Sequence, residues 1–247
     1  YIGMEKNAIK KDLNKVKVKF AFAFPDVYEV AMSHLGLHIL YNMLNEEEDI
    51  ACERVFAPWI DMENEMEKEN IPLFTLESRE PINNFDFVGF TLQYEMSYTN
   101  IINMLNLGNI PILSKDREET DPFVIAGGPC GYNPEPIADI IDFFVIGEGE
   151  EVTLEILERY KTFKKTGGSR LDFLKIVSKI EGVYVPEFYE IHYKKDGTID
   201  NMEPIMEGVP KNIKKRIIRN MNEVYFPEKL VVPYIETVHD RIPLEIF

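Results

Sequence analysis

The sequence predicts an α/β protein with a doubly wound, mainly parallel five-stranded sheet. Short apolar runs alternate with helical patterns along residues 1–165, as in successive βα units. Two of these runs, at residues 123–126 and 143–146, are each followed directly by glycine. Glycine in a βα loop allows positive φ and close approach of a ligand, and ligands bind at that edge of open parallel sheets. We therefore expect a flavodoxin-like strand order, 2-1-3-4-5, with a binding edge at these loops.

The first βα unit is predicted at residues 16–45. Residues 16–24 alternate between lysine and apolar side chains and then become wholly apolar, which is typical of a central strand. Pro25 ends this strand, and Ser33 is a suitable N-cap for a helix at residues 34–45. Apolar residues three or four positions apart predict the buried face of that helix.

The later units repeat the alternation of a short apolar strand with a helix. We predict strands at residues 51–55, 85–91, 123–126 and 143–146, a short edge strand at 73–76, and helices at 58–70, 98–107, 135–141 and 150–164. Right-handed crossovers between parallel strands then place helices on both faces of the sheet.

A smaller α+β or irregular extension is predicted at residues 166–236. It begins at a glycine-rich turn and contains a helix at residues 171–180, a strand at 182–186 and a hairpin at 187–204 with an Asp-Gly turn. Residues 209–236 have no clear period, and residues 237–247 form a third segment. Five cations of the extension are interpreted as a solvated helix or an interdomain contact rather than an RNA site. They are Lys211, Lys214, Lys215, Arg216 and Arg219.

Composition excludes several classes of function. The net charge of the 247 residues is −16, whereas a nucleic-acid-binding protein needs a basic face. The two cysteines, Cys52 and Cys130, form neither a disulfide framework nor a metal-binding spacing. No apolar run approaches the roughly 18 residues of a membrane span, and no signal-peptide pattern opens the chain. We therefore predict a cytoplasmic protein that binds neither nucleic acid nor membrane and has no metal site.

Two motifs resemble a known family. The first is Gly127-Gly128-Pro129, followed by Asp142 and by Gly147-Glu148-Gly149-Glu150. It resembles the N-terminal cobalamin-binding-like, Rossmann-type domain of radical SAM proteins. The second is the run FPDVYEVAMSHLGLHILY at residues 24–41. It is similar to an uncharacterised radical SAM subfamily in which this domain precedes the catalytic barrel. The resemblance covers most of residues 1–165.

The resemblance implies that this chain is an accessory domain of a radical SAM iron–sulfur enzyme. In that subfamily, the residues that match 237–241 and 244–247 lead into a Cys-x-x-x-Cys-x-x-Cys motif. That motif binds a [4Fe-4S] cluster whose open iron receives S-adenosylmethionine. The resemblance therefore assigns no catalytic residue to this chain and makes the radical SAM barrel of the parent chain its partner, with an unknown substrate. Residues 237–247 are expected to lie extended or poorly ordered, outside the core of the sheet domain.

The resemblance also implies cofactor-binding residues in the loop after the first strand. Family members that bind cobalamin often carry Asp-x-His-x-x-Gly there, in which the histidine is the lower cobalt ligand and the aspartate orients it. This chain has His34 and Gly36, one residue short of that spacing, with Ser33 beside them and Met32 at the aspartate position. His38, one turn further on, is interpreted as a helix-surface residue.

The remaining candidate residues belong to three other loops. The family's Ser-x-Leu after the third strand is replaced by Thr91-Leu92-Gln93, in which the Thr91 hydroxyl can still donate to a nucleotide tail. The glycines after the fourth and fifth strands complete the candidate site: Gly127, Gly128, Gly147 and Gly149.

Two functions remain open at this point. The altered histidine and serine loops predict that the chain binds hydroxocobalamin weakly or not at all. Bulky side chains are also expected to fill the tail pocket between the sheet and the helices, namely Phe20, Phe22, Phe90 and Phe143. The alternative to a cobalamin-binding accessory domain is a degenerate Rossmann-like domain that binds no cofactor and serves substrate gating or protein–protein interaction.

Overall fold

The computed structural model describes residues 5–233 and 235–238. Its strands are β1 (Val18–Phe24), β2 (Ile50–Phe56), β3 (Phe87–Thr91), β4 (Phe123–Gly127), β5 (Phe143–Val145), β6 (Val183–Tyr184), β7 (Tyr189–Tyr193) and β8 (Ile199–Pro204). Its α-helices are α1 (Tyr28–Ala31), α2 (Leu35–Glu46), α3 (Ile60–Glu69), α4 (Tyr98–Leu107), α5 (Gly149–Thr166) and α6 (Arg170–Val177).

The main sheet has the order β2-β1-β3-β4-β5-β6. The first five strands are parallel, and β6 runs antiparallel to β5. The predicted α/β fold, with a mainly parallel sheet in the order 2-1-3-4-5, is confirmed, and β1 lies in its interior as expected. The sheet has one strand more than the five predicted, because β6 comes from the region that was assigned to the extension.

Helices α2 and α5 pack against each other on one face of the sheet, and α5 also contacts β1. Right-handed crossovers place α3 and α4 on the other face. Helix α2 begins at Leu35, and its N-cap is His34 rather than the predicted Ser33. The Ser33 hydroxyl instead donates to the carbonyl of Glu29 (2.9 Å). The loop after β1 therefore holds a short helix, α1, before α2 begins.

An aromatic cluster fills the amino-terminal half of the face beneath α5 and α6. Phe173 of α6 lies 4.8 Å from Phe123 of β4 and 5.0 Å from Tyr160 of α5, between ring centroids. Phe87 of β3 packs edge-on against Tyr160 at 4.7 Å. Helix α6 therefore packs on the sheet and strand β6 belongs to it, although both lie after residue 165.

Asp142 anchors the start of β5 at the same end of the sheet. Its Oδ2 accepts hydrogen bonds from Arg117 Nη1 (2.9 Å), Arg170 Nη2 (2.6 Å) and the backbone N–H of Val124 (2.6 Å). The Arg170 guanidinium also lies 4.1 Å from the centroid of the Phe123 ring. One buried carboxylate thus joins two arginines to the sheet.

The outer edge of β2 is covered by residues 73–80, although β2 ends the order of the main sheet. Residues 73–76 were predicted as an edge strand, but they form only an isolated bridge between Phe74 and Pro81. The backbone N–H of Leu76 donates to the Arg54 carbonyl (2.8 Å), and Glu77 accepts from the Arg54 N–H (2.8 Å). This cover satisfies backbone groups that an open edge would leave exposed to another chain.

The C-terminal part contains the predicted hairpin and an extended segment. Strands β7 and β8 form a separate antiparallel sheet. The five cations of the extension lie outside any α-helix, contrary to the helix interpretation, and Arg216 pairs with Glu151 and Glu155 at 3.2 and 3.0 Å. Residues 239–247 lie outside the described residues, so the expectation for residues 237–247 stays a prediction. None of the helices in the described ranges combines the length and apolarity needed to cross a bilayer.

Candidate functional site

A cavity of about 620 Å³ opens at the carboxyl edge of the sheet. It lies between helices α2 and α5 and the strands β1, β3, β4 and β5. All predicted cofactor residues except Ser33 lie on its wall: His34, Gly36, Thr91, Gly127, Gly128, Gly147 and Gly149. The fold therefore brings residues from four separate loops to one cavity that is open at the sheet edge.

The floor of the cavity is formed by Phe20 of β1 where it lies over Gly89 of β3. A Cβ at residue 89 would lie only 2.4 Å from Cζ of Phe20, so a side chain at residue 89 would displace the ring. Glycine inside a strand commonly marks such a close approach. An aromatic ring therefore closes the inner end of the cavity.

The expectation that phenylalanines fill this space is wrong. Phe20, Phe22 and Phe90 line the cavity without occupying it. Phe143 packs away from it, against Phe173, with 6.5 Å between ring centroids. The space persists because residue 89 has no side chain and because the aromatic cluster takes up the bulky rings below it.

His34 stands at the mouth of the cavity. Its ring centroid lies 5.6 Å from that of Phe24, and a Cβ at residue 36 would lie 3.1 Å from His34 Cε1. Gly36 therefore gives the imidazole room to turn back over the start of α2. Met32 occupies the position of the family's aspartate, and its sulfur receives a hydrogen bond from Arg54 Nη1 (3.2 Å). No carboxylate side chain is available at that position to orient His34.

The loops after β3 and β4 are hydrogen-bonded to each other. Leu92 N–H donates to the Gly127 carbonyl (2.6 Å), and Cys130 N–H donates to the Leu92 carbonyl (3.0 Å). Gly128 has φ +121°, and a Cβ there would lie 2.9 Å from the Leu92 oxygen. The Thr91 hydroxyl accepts from Gln93 Nε2 (2.6 Å), which places two polar side chains on the cavity wall. Gly128 is thus required by the backbone of the neighbouring loop.

Gly147 is required by a contact with the C-terminal segment. Arg216 N–H donates to the Ile146 carbonyl (2.8 Å), and Glu148 N–H donates to the Arg216 carbonyl (3.1 Å). Gly147 has φ +109°, and a Cβ there would overlap the Arg216 oxygen. The Glu148 carboxylate also accepts a hydrogen bond from Ile218 N–H. The loop after β5 is therefore held in place by a segment that follows it far along the chain.

Gly147 and Gly149 form a matched pair for substitution. We expect Gly147→Ala to lower the free energy of unfolding by about 2–4 kcal/mol, through backbone strain and displacement of residue 216. At Gly149 an added Cβ meets only side-chain atoms of Leu40 and Thr153, at 3.7–3.9 Å, so Gly149→Ala is expected to be neutral or to stabilise by up to about 1 kcal/mol. Urea unfolding of both variants tests this. Equal midpoints would contradict the role of the Arg216 contact.

His38 is buried behind this loop, which corrects its interpretation as a helix-surface residue. Its side chain is on the inner side of α2, and its Nε2 donates to the Met32 carbonyl (3.0 Å) in the tautomer that this bond requires. Burial lowers the pKa of His38, and the nearby charges of Arg54 and His34 act in the same direction. The bond to Met32 partly opposes this. His38 therefore supports the loop in its neutral form.

The depressed pKa of His38 predicts a loss of stability in mild acid. Below about pH 6.5 the unfolded chain takes up this proton before the folded chain does. The free energy of unfolding then decreases as the pH is lowered, until the pH falls below the pKa of His38 in the folded chain. His38→Gln keeps a donor to Met32 but cannot titrate, so the stability difference between it and wild type should narrow from pH 7.5 to pH 5. Thermal unfolding at both pH values measures this, and a constant difference would contradict it.

A buried ion-pair cluster lies next to this loop and was not predicted. The guanidinium of Arg54 on β2 is fully buried and contacts Glu5 (Nη2 to Oε2, 2.6 Å) and Glu77 (Nε to Oε1, 2.7 Å). Tyr28 donates its hydroxyl hydrogen to Glu5 Oε1 (2.6 Å). Burial alone would raise the pKa of Glu5, but Arg54 and Tyr28 outweigh it and lower that pKa. Burial raises the pKa of the Glu77 carboxyl despite Arg54.

Among the described residues, one group of three acids lies close enough to suggest a metal site, outside the cavity. Ligand atoms of Glu47, Asp49 and Glu158 lie within 4.8 Å of one another. However, Lys161 and Lys17 donate to Asp49 at 2.5 and 2.7 Å. These hydrogen bonds lower the pKa of Asp49 to about 2. The group is therefore part of an ion-pair network.

A comparison with protein families identifies the fold's relatives. A family model described as the N-terminal region of radical SAM proteins matches residues 36–186, which is more than half of the chain. The chain belongs to this family. The match confirms the family suggested by the motifs at residues 24–41 and 127–150.

Two known proteins are similar to this chain. An uncharacterized protein of Methanocaldococcus jannaschii is 27% identical over 222 residues, which cover 85% of this chain and 42% of the relative. The chain therefore spans less than half the length of that relative. The radical S-adenosylmethionine methyltransferase TsrM of Kitasatospora setae, solved with tryptophan substrate and a SAM analogue, aligns over 72% of this chain and 29% of its own. Its TM-score is 0.38 and its sequence identity is 18%.

Proposed function

We propose that this chain is the ligand-binding accessory domain of a radical SAM enzyme and that cobalamin is its ligand. One observation carries this proposal: the predicted cofactor residues from four loops line a single cavity at the carboxyl edge. A volume of about 620 Å³ falls within the range of roughly 300–1,000 Å³ that is typical of small-molecule sites. Family membership supports the accessory-domain part of this proposal.

The chemistry of the cavity fits the nucleotide tail of a cobalamin. The ring of Phe20 and the side chains of Ile39 and Ile125 offer an apolar slot for a planar heterocycle. The Thr91 hydroxyl already accepts from Gln93, so its hydrogen remains to donate to the tail. Glu148 and Glu150 lie at the wall beside the start of α5, so this helix end does not favour an anion. An uncharged heterocycle suits this wall better than a free phosphate.

His34 does not fit the role of a cobalt ligand. Its ring packs beside Phe24 and over Gly36, and Met32 stands where an orienting aspartate is needed. We therefore propose a histidine-free mode in which the cavity and its loops hold and orient the cofactor. Bound cobalamin would supply a reactive cobalt centre. This chain's residues would bind the tail and exclude water from the slot.

Titration with hydroxocobalamin, followed by visible absorbance, tests this proposal. The altered loops predicted weak binding or none, but because the cavity is open we now expect the 247-residue chain to bind at micromolar concentrations and His34→Ala to bind within about threefold of wild type. The double variant Ile39→Trp/Val145→Phe adds bulk to the cavity wall and should weaken binding at least tenfold, roughly 1.4 kcal/mol. Ile199→Trp, on the exposed hairpin strand β8, is the matched control and should bind like wild type.

Three results would overturn the proposed mode of binding. Loss of binding in His34→Ala would show that the histidine is a ligand. Absence of binding by the correctly folded wild type, or equal binding by the cavity-filled variant, would remove the cavity from cobalamin binding. Absence of binding would favour the second candidate function.

The second candidate is a docking module for the catalytic barrel of the parent chain. Large apolar side chains are exposed in loops and helix starts that follow the carboxyl ends of β1 to β4: Val30, Trp59, Ile60, Tyr94, Met96 and Tyr132. Trp59 is 61% exposed and Met96 is 74% exposed, which is costly unless another surface covers them. Docking at this edge is compatible with an occupied cavity, because both roles face the parent enzyme.

We assign the radical chemistry to the parent chain. A [4Fe-4S] cluster and S-adenosylmethionine would be bound by the radical SAM barrel that follows this domain, and the substrate would meet them there. We further propose a cytoplasmic location, since both cysteines of the domain are free thiols and a reducing compartment preserves thiols.

A further inference from the structure

The ion-pair cluster around Arg54 holds the loop that carries His34. Glu5 accepts from Arg54 Nη1 and Nη2 at 2.9 and 2.6 Å, and Tyr28 donates to the same carboxylate. Arg54 also donates to the sulfur of Met32. Residues 28–34, which we call the mouth loop, are therefore held by buried charges on β2 and in residues 5–17, which we call the N-terminal segment.

The N-terminal segment is in turn paired with the exit segment, by which we mean residues 230–233 and 235–238. Lys6 N–H donates to the Val232 carbonyl (3.1 Å), and Val232 N–H donates to the Lys6 carbonyl (3.0 Å). Asn7 Nδ2 donates to the Leu230 carbonyl (2.9 Å). The residue that binds Arg54 is thus adjacent to the pair that holds the exit segment.

The exit segment also touches the mouth loop directly. Val238 N–H donates to the Glu29 carbonyl (3.3 Å), the same oxygen that receives the Ser33 hydroxyl (2.9 Å). Ser33, the predicted site residue that does not line the cavity, therefore ties the mouth loop to the point where the exit segment arrives.

We propose that Arg54 and Glu5 are positioning residues that couple the mouth loop to the exit segment. The physical basis is that both segments share one buried anchor. A guanidinium that is fully removed from water keeps its carboxylate partners in place strongly, because each unpaired charge would remain desolvated. Release of either segment removes contacts that hold the other, and coupling of this kind acts equally in both directions. The mouth of the cavity therefore responds to the placement of the exit segment. This inference does not depend on the identity of the cavity ligand.

Hydrogen exchange on the ligand-free 247-residue chain tests the coupling. In Glu5→Gln and in Arg54→Met, amide exchange should rise at least tenfold, roughly one 1.4 kcal/mol step, in the mouth loop and the exit segment together. Arg117→Met is the matched control, because Arg117 is equally buried and is paired with Asp142 at the opposite end of the strands. It should leave exchange in both segments unchanged relative to the rest of the sheet.

A reciprocal variant separates coupling from general loss of stability. Val232→Pro removes the N–H that bonds to Lys6, and Val232 is half-exposed, so the core is untouched. Exchange in the mouth loop should rise in this variant although no residue of the loop or the ion pair is altered. An unchanged mouth loop in Val232→Pro would overturn the proposal. So would loosening of only one segment in Glu5→Gln, or an equal effect of Arg117→Met. No cobalamin is present, so these results are independent of the proposed cofactor.

Discussion

Replacement of Arg54 by methionine is expected to lower the free energy of unfolding by about 3–5 kcal/mol. The substitution removes the cation that Glu5 and Glu77 share and leaves two buried carboxylates without a partner of opposite charge. Water cannot solvate these carboxylates in place of the arginine, since the arginine and both acids are almost completely buried. Urea unfolding, monitored by far-UV circular dichroism, measures the effect.

Two further variants define the cause of this loss. Arg159→Met makes the same substitution at an exposed pair with Glu155 and should leave the unfolding midpoint unchanged, because exposed ion pairs contribute little. The triple variant Glu5→Gln/Arg54→Met/Glu77→Gln carries no buried charge in the cluster and should recover most of the lost stability. A loss in Arg54→Met no larger than in Arg159→Met would show that the cluster is solvated.

The second large effect is expected at Asp142. Asp142→Asn keeps the shape of the side chain but removes the negative charge between Arg117 and Arg170. Two guanidiniums would then face each other across a neutral amide in the interior, and we expect a loss of about 3–5 kcal/mol. The first strands to separate should be β4 and β5, because Asp142 also holds the N–H of Val124.

Asp200→Asn provides the matched control for Asp142. Asp200 lies on the exposed strand β8, so the same chemical change there should leave the unfolding midpoint in place. Removal of one of the two cations in the altered background, as Asp142→Asn/Arg117→Met, should restore part of the stability. Further destabilisation by that second substitution would show that lost packing, rather than lost charge balance, causes the effect.

The sheet was predictable because its signals are local. The apolar runs before Gly127 and Gly147 each end in a residue type that permits an unusual turn, and the order of the parallel strands follows from short crossovers. Strand β6 was predicted at residues 182–186, but its two residues carry no pattern that shows that it joins the main sheet. The single glycine within β3, at residue 89, was an available signal for the cavity. Glycine weakens a strand, so its presence inside one often marks a site that another group approaches closely.

The parts of the site that sequence reasoning missed depend on distant pairs. Glu5 and Arg54 are 49 residues apart, and neither stands in a pattern that identifies the other. Positive φ at Gly147 and Gly128 was anticipated, but the atoms that approach them belong to Arg216 and Leu92 rather than to a ligand. Burial of His38 was missed because the N-terminal segment that covers its side of α2 has no recognisable period.

The pairing of Lys6 with Val232 has a consequence for synthesis on the ribosome. The N-terminal segment leaves the ribosome first, but its backbone partners are made only after about 225 further residues. At roughly 5–20 residues per second this interval is on the order of 10–45 s. The sheet and its cavity can form during that time, whereas the N-terminal segment still lacks its partners at residues 230–232 and is held by Arg54 and Tyr28 at Glu5 and by Tyr41 at Ile9. The pairing between Lys6 and Val232 therefore forms last, after the sheet and its cavity are already in place.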